Sequence, residues 1–129
     1  MRSLKTAIAA ASTGPARALD PATQEQDFRF EKDFEGFSGH FPGHPLLPGF
    51  IQIMVISRLA ERLVPERQIF AVVEKAKFVR EIIPGQDITA QCRRISTGGR
   101  TVLEGKLSGP GGPAASMTLA FEERRKNIV

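Results

Sequence analysis

Phe37-Ser38-Gly39-His40-Phe41-Pro42-Gly43-His44-Pro45-Leu46-Leu47-Pro48-Gly49-Phe50 runs without a break into Ile51-Gln52-Ile53-Met54-Val55-Ile56-Ser57-Arg58-Leu59-Ala60-Glu61-Arg62-Leu63-Val64. The first half is a Gly- and Pro-rich loop that holds both histidines of the chain. Proline fixes φ and pushes the residue before it out of the α region. Pro42, Pro45 and Pro48 therefore leave the backbone few choices, and a loop this stiff can hold an imidazole in one place. Pro48-Gly49 suits the first turn of a helix, where a missing N–H costs nothing. The pattern predicts a helix from about Pro48 to Val64, closed by Pro65. From Phe50 to Ile56 only Gln52 is polar, and a helix apolar all round is a buried one. Its first two turns are expected inside the protein, with His40 near their entrance.

Outward from this stretch the pattern turns to strands. Gln26 to Phe34 alternates, setting Phe28, Phe30 and Phe34 apart from Arg29, Glu31 and Lys32. Gln68 to Phe78 is apolar at first and then charged, which predicts a central strand that bends or bulges partway. After a turn at Pro84-Gly85-Gln86-Asp87, Ile88, Ala90 and Cys92 share one face, and Thr89, Gln91 and Arg93 the other. Gly98-Gly99 marks a hairpin turn into Arg100 to Ser108, and Gly109 to Pro113 a second, looser one. The last strand sets Ala115, Met117, Leu119 and Phe121 against Ser116, Thr118 and Glu122.

Such a sheet needs something to cover its apolar face, and the apolar helix is the one candidate. The expected fold is α+β, an antiparallel sheet wrapped around one long central helix. Residues 1–23 show no convincing period and read as an N-terminal arm, ahead of a single domain over 24–129. Five or six strands leave an edge open. Pairing two edges across a two-fold would extend the sheet, so a homodimer is the expected unit.

At 129 residues the chain fits one core. It has no Trp and no Tyr, so Phe and aliphatic side chains must fill that core. The formal charge of +4 suits an acidic partner, and charge alone does not choose among a carrier protein, nucleic acid and anionic lipid. The single cysteine, Cys92, forbids an intramolecular disulfide and fits a reducing compartment, so a cytoplasmic protein is expected. No apolar run reaches the length of a membrane span. The apolar patch in MRSLKTAIAAAS is short and Ala-dominated, and no export is expected.

The run Gly39 to Gly49, with Ala76-Lys77-Phe78 and Pro84-Gly85 beyond it, resembles the signature of the hot-dog-fold 3-hydroxyacyl-[acyl-carrier-protein] dehydratases. The resemblance covers roughly Phe28 to Phe121. It implies a hot-dog fold and three site groups. His40 would be the catalytic base, the backbone carbonyl of Leu46 would orient its ring, and the backbone N–H of Gly49 would serve the thioester oxygen. Unpaired donors at a helix N-terminus do attract developing negative charge, and an imidazole titrates near working pH. The family also places a Glu or Asp fourteen residues after the histidine. Here that position is Met54, which donates no proton, and the first carboxylate along the helix is Glu61.

Phe50, Gln52, Ile53 and Phe78 are the candidate substrate-binding residues. The Gln52 amide either hydrogen-bonds a substrate or satisfies a buried backbone group. His44 lies four residues after His40, but that spacing joins two rings only on a helix, which the prolines forbid. No metal and no cofactor are expected, and His44 reads as a polar surface group. Lys75, Lys77, Arg80, Arg93, Arg94 and Arg100 are candidates for an acidic partner's surface.

The resemblance thus implies a 3-hydroxyacyl-thioester dehydratase-like protein of fatty-acid or polyketide-type synthesis, its dehydration impaired where the helix carboxylate is lost. The alternative is a non-catalytic acyl-carrier-binding or partner subunit of an active dehydratase. A hot-dog thioesterase comes third. The implied partners are an acyl carrier protein or acyl-CoA thioester and a second subunit, as homodimer, heterodimer or higher oligomer. Neither nucleic acid nor membrane is expected.

Overall fold

A computed structural model describes residues 3–37, 43–64, 68–97 and 100–123. In chain order the elements are α1 (Leu4–Ala10), β1 (Arg17–Asp20), β2 (Thr23–Arg29), a 3-10 turn (Glu35–Phe37), α2 (Gly49–Leu63), β3 (Gln68–Phe78), β4 (Asp87–Thr97), β5 (Arg100–Gly109) and β6 (Gly112–Glu123). The six strands form one antiparallel sheet in the order β1-β2-β4-β5-β6-β3.

The inner face carries the alternation expected of it. Ile88, Ala90 and Cys92 of β4, Leu103 and Leu107 of β5, and Ala115, Met117 and Leu119 of β6 are all buried. Against them lies α2, which buries Ile51, Val55, Ile56, Leu59 and Leu63. The closest approach is at Gly105, where a Cβ would stand 2.3 Å from Cγ2 of Ile56. Glycine there lets the helix rest on the sheet backbone itself, a contact no side chain would allow. This is the architecture of a sheet curled about one rod.

Several local expectations are corrected. The first long strand ends at Arg29, because Phe34 N–H turns back to the Glu31 carbonyl at 2.9 Å. Phe28, Phe30, Phe34 and Phe37 instead pack as a chain of rings, with successive centroids 4.8–5.9 Å apart. The arm contains α1, capped by the Ser3 hydroxyl, and β1, paired with β2. α2 begins at Gly49 with Pro48 as its N-cap residue, one position later than predicted. The second hairpin is tight rather than loose, for Gly109 pairs directly with Gly112 across Pro110-Gly111.

The largest correction concerns β3. It bulges where expected, with Glu74 between the Val73–Leu119 and Lys75–Thr118 pairs, but it lies at the sheet edge and not at its centre. Continuous apolar character signals cover on both faces, and in this chain that cover is absent. Val72 and Val73 are each 41% exposed. Likewise α2 is not buried all round: Phe50 is 51% exposed, and Ile53 and Met54 are half-buried. The edge of β3 and one flank of α2 thus each leave apolar side chains exposed. The hairpin at 98–99 lies outside the described residues.

Candidate active site

Gly49 opens α2, and its place in the chain explains its chemistry. The first N–H groups of a helix have no intrahelical partner. Here the Ile51 and Gln52 N–H groups both reach the Pro48 carbonyl, at 3.1 and 3.2 Å. The N–H groups of Gly49 and Phe50 meet no acceptor among the described residues. Phe78, from the inner face at the end of β3, lays its ring over this point. A Cβ on Gly49 would meet Phe78 Cζ at 2.9 Å. The absence of a side chain is therefore what lets the ring sit against the helix entrance.

The backbone around this entrance is tied down on its far side. The Leu47 N–H donates to the Ile82 carbonyl at 2.8 Å, and the Val79 N–H to the Ala114 carbonyl at 2.8 Å. Leu46, Leu47, Gly49, Gln52, Phe78 and Val79 line a cavity of about 330 Å³, with the exposed Arg80 and Glu81 beside them. Leu47, Val79 and Ile82 were not singled out from sequence. Their only signal is position, flanking the Pro-rich loop and the Ala76-Lys77-Phe78 landmark.

Gln52 lies on the same side of α2 as Gly49, one turn deeper, and is only 4% exposed. Its Nε2 donates to the Leu47 carbonyl at 3.0 Å, so it does satisfy a buried backbone group. Its Oε1 is buried and receives no hydrogen bond among the described residues.

Met54 is elsewhere. It faces a separate cleft of about 260 Å³ with Lys5 and Ile8 of α1 and Ser57, Arg58 and Glu61 of α2. Among the described residues, Met54 and the Gly49 entrance line different cavities. Phe50 and Ile53 join Met54 on the open flank of the helix. Glu61 pairs with Lys5 at 4.0 Å, seven residues along from Met54, or about 10 Å at helical rise.

His40 lies outside the described residues, as does any pairing of its ring with the Leu46 carbonyl. His44 is exposed, with Nε2 3.4 Å from Glu81 Oε1, as a surface group should be. The candidate cations divide. Lys75, Lys77 and Arg93 share the outer face of the sheet with Lys106. Arg94 instead donates to the Leu63 carbonyl at the end of α2, Arg100 pairs with Glu74, and Arg80 lies against Gly111.

The curled sheet and the rod that it encloses place the molecule in the hot-dog class. Residues 17–106 match the family described as ApeI-like, the ApeI dehydratase, and the chain belongs to that family. It is 31% identical over 93 residues to the 3-hydroxyacyl-[acyl-carrier-protein] dehydratase FabZ of Streptococcus equi subsp. zooepidemicus. That match covers 66% of each chain, so the chain spans just under two thirds of the curated relative's length. Among solved structures it is similar to the dehydratase heterocomplex ApeI:P from Xenorhabdus doucetiae, with a TM-score of 0.75 and 20% identity, covering 85% of this chain and 95% of that one. It also resembles a hypothetical thioesterase with coenzyme A from Streptococcus pneumoniae, at a TM-score of 0.63 and 8% identity, over 95% of this chain and 97% of that one. These structural likenesses concern the fold.

Proposed function

We propose that this protein binds 3-hydroxyacyl thioesters of a carrier protein or coenzyme A and takes part in their dehydration. The observation that carries the reading is the Gly49 N–H, unpaired among the described residues at the head of a 15-residue helix. Dehydration builds negative charge on the thioester oxygen, and a preset donor stabilises such charge best where water is excluded. Phe78 over Gly49 helps to exclude it. In this reading His40, oriented by the Leu46 carbonyl, takes the proton beside the carbonyl. The acyl chain runs along α2 past Phe50 and Ile53.

A positioned acid is worth about 10²–10⁴ in rate, and Met54 supplies none. The test is direct. Incubated with a 3-hydroxyacyl carrier protein, the protein should yield the unsaturated product, seen by mass, and no free thiol. His40→Ala should abolish that product. Met54→Glu should raise its rate by about 10²-fold or more. Full activity without His40 would remove the dehydratase reading, and no change on Met54→Glu would remove the version in which position 54 holds the acid. Thiol release would favour the thioesterase.

Met54 on the open flank favours a second reading, in which a partner subunit supplies the carboxylate. The solved heterocomplex of a family relative makes such pairing a natural arrangement. Homodimer or heterodimer, the partner would cover β3 and Phe50. Among the described residues no helix is long and apolar enough to cross a membrane. With its one thiol unpaired, we place the protein in the cytoplasm, in fatty-acid or polyketide-type synthesis.

A further inference from the structure

We infer that the buried carbonyl of Gln52 is the acceptor for the substrate's 3-hydroxyl group, and so the residue that distinguishes 3-hydroxyacyl chains from plain acyl chains. The inference rests on the proposed acyl-thioester reading and adds a residue and a specificity to it.

Gln52 is 4% exposed. Its Nε2 is committed to the Leu47 carbonyl at 3.0 Å, which fixes the amide's orientation. Its Oε1 receives no hydrogen bond among the described residues. A buried acceptor left without a donor is costly, and such sites reject a ligand that cannot fill them. Gln52, the residue that carries this unmet acceptor, lines the cavity of Gly49 and Phe78. Positions 49 and 52 are neighbours on one side of a helix, about 5–6 Å apart between Cβ positions.

The cavity is therefore lined by the residue of a helix donor unpaired among the described residues, Gly49, and one turn further in by Gln52, whose Oε1 is left without a donor just beneath the wall. A ligand whose carbonyl accepts from Gly49 N–H would need its own donor a short way along the chain, on the buried side. The hydroxyl two carbons beyond a thioester carbonyl is such a donor. The amide N–H groups of a pantetheine arm lie on the other side of the carbonyl, towards solvent, and do not fit. Met54 is turned into a different cleft, and the carboxylate beside this cavity, Glu81, is exposed and lies 3.4 Å from His44 Nε2. Gln52 holds the group but has no acidic proton to give. It is a positioning residue.

The test uses the full chain and octanoyl pantetheine analogues in which nitrogen replaces the thioester sulfur, so that elimination cannot occur during the measurement. Carbon 3 carries a hydroxyl, a fluorine or hydrogen only, and binding is measured by calorimetry. The wild-type protein should bind the hydroxyl compound about tenfold more tightly than either of the others, since fluorine accepts but does not donate. In Gln52→Met, which has similar length and no acceptor amide, that ratio should fall to about one. Equal affinity of the wild type for all three compounds overturns the inference, and does so whether or not the variant folds. A ratio retained in Gln52→Met overturns it as well. If the wild type binds none of the three, the acyl-thioester reading itself fails, and this inference with it.

Discussion

Two regions of this protein are built from the same residues to opposite ends. Under the middle of the sheet, Leu103, Leu107, Ile88 and Cys92 are closed off by Ile56 and Leu59 of α2. At its margin, Val72, Val73 and Phe78 of β3 and Phe50 of α2 are as apolar, yet each is about half exposed. Apolar area removed from water is worth about 25 cal/mol per Å², so the first region has already stabilised the fold and the second retains that energy for association. The difference teaches that hydrophobicity in this sequence reports both the core within the chain and, under the proposed pairing, a contact beyond it.

Mutations should separate them, and the centre should respond most. Leu103→Ala removes a fully buried side chain and should cost about 2–5 kcal/mol in urea unfolding. Gly105→Ala, forced against Ile56, should cost about 1–3 kcal/mol. At the margin the pattern should invert. Val72→Lys should change unfolding of the lone chain by no more than about 0.5 kcal/mol, yet, under the proposed pairing, lower the subunit association seen in sedimentation. Comparable losses of stability at both places would erase the distinction.

Smaller effects sharpen it. Burial pushes the Cys92 thiol up to about 12, leaving about one thiolate in 10⁴ at pH 8. A thiol reagent should therefore label it only on the unfolding timescale. At the opposite sheet edge, the hydrogen bond from Arg17 holds the Asp27 carboxyl below its ordinary range, helped by Thr89. A depressed carboxylate stabilises fully above its unfolded value, about 3.9, and loses that contribution as pH falls through the folded value. Stability should decline on acidification below about pH 4, and Arg17→Met should flatten that decline.

Much of this was legible in the sequence, and for identifiable reasons. Period-two alternation in β4 and β6 marks an inner face, and the Pro-Gly entrance marks the start of α2 to within one residue. The edge position of β3 was not legible, because an apolar run looks alike whether a neighbouring strand or a second molecule covers it. α1 and β1 escaped because short Ala- and Ser-rich segments carry little periodicity. Their order comes from Ser3 capping and from pairing with β2. At the site, Gly49, Gln52 and Phe78 line one cavity. Met54, Phe50 and Ile53 fall on another side of the helix, an angular fact that spacing from His40 does not reveal.

The contact between Gly105 and Ile56 has a consequence for substrate length. Where Ile56 rests on the sheet backbone at Gly105, the rod leaves no space beneath it for a fatty tail to pass. Under the proposed function the tail must lie on the open flank, between this chain and whatever docks there. The ruler that measures the acyl chain would then be made half of another molecule, and exchanging that molecule would retune the ruler with no mutation in this one.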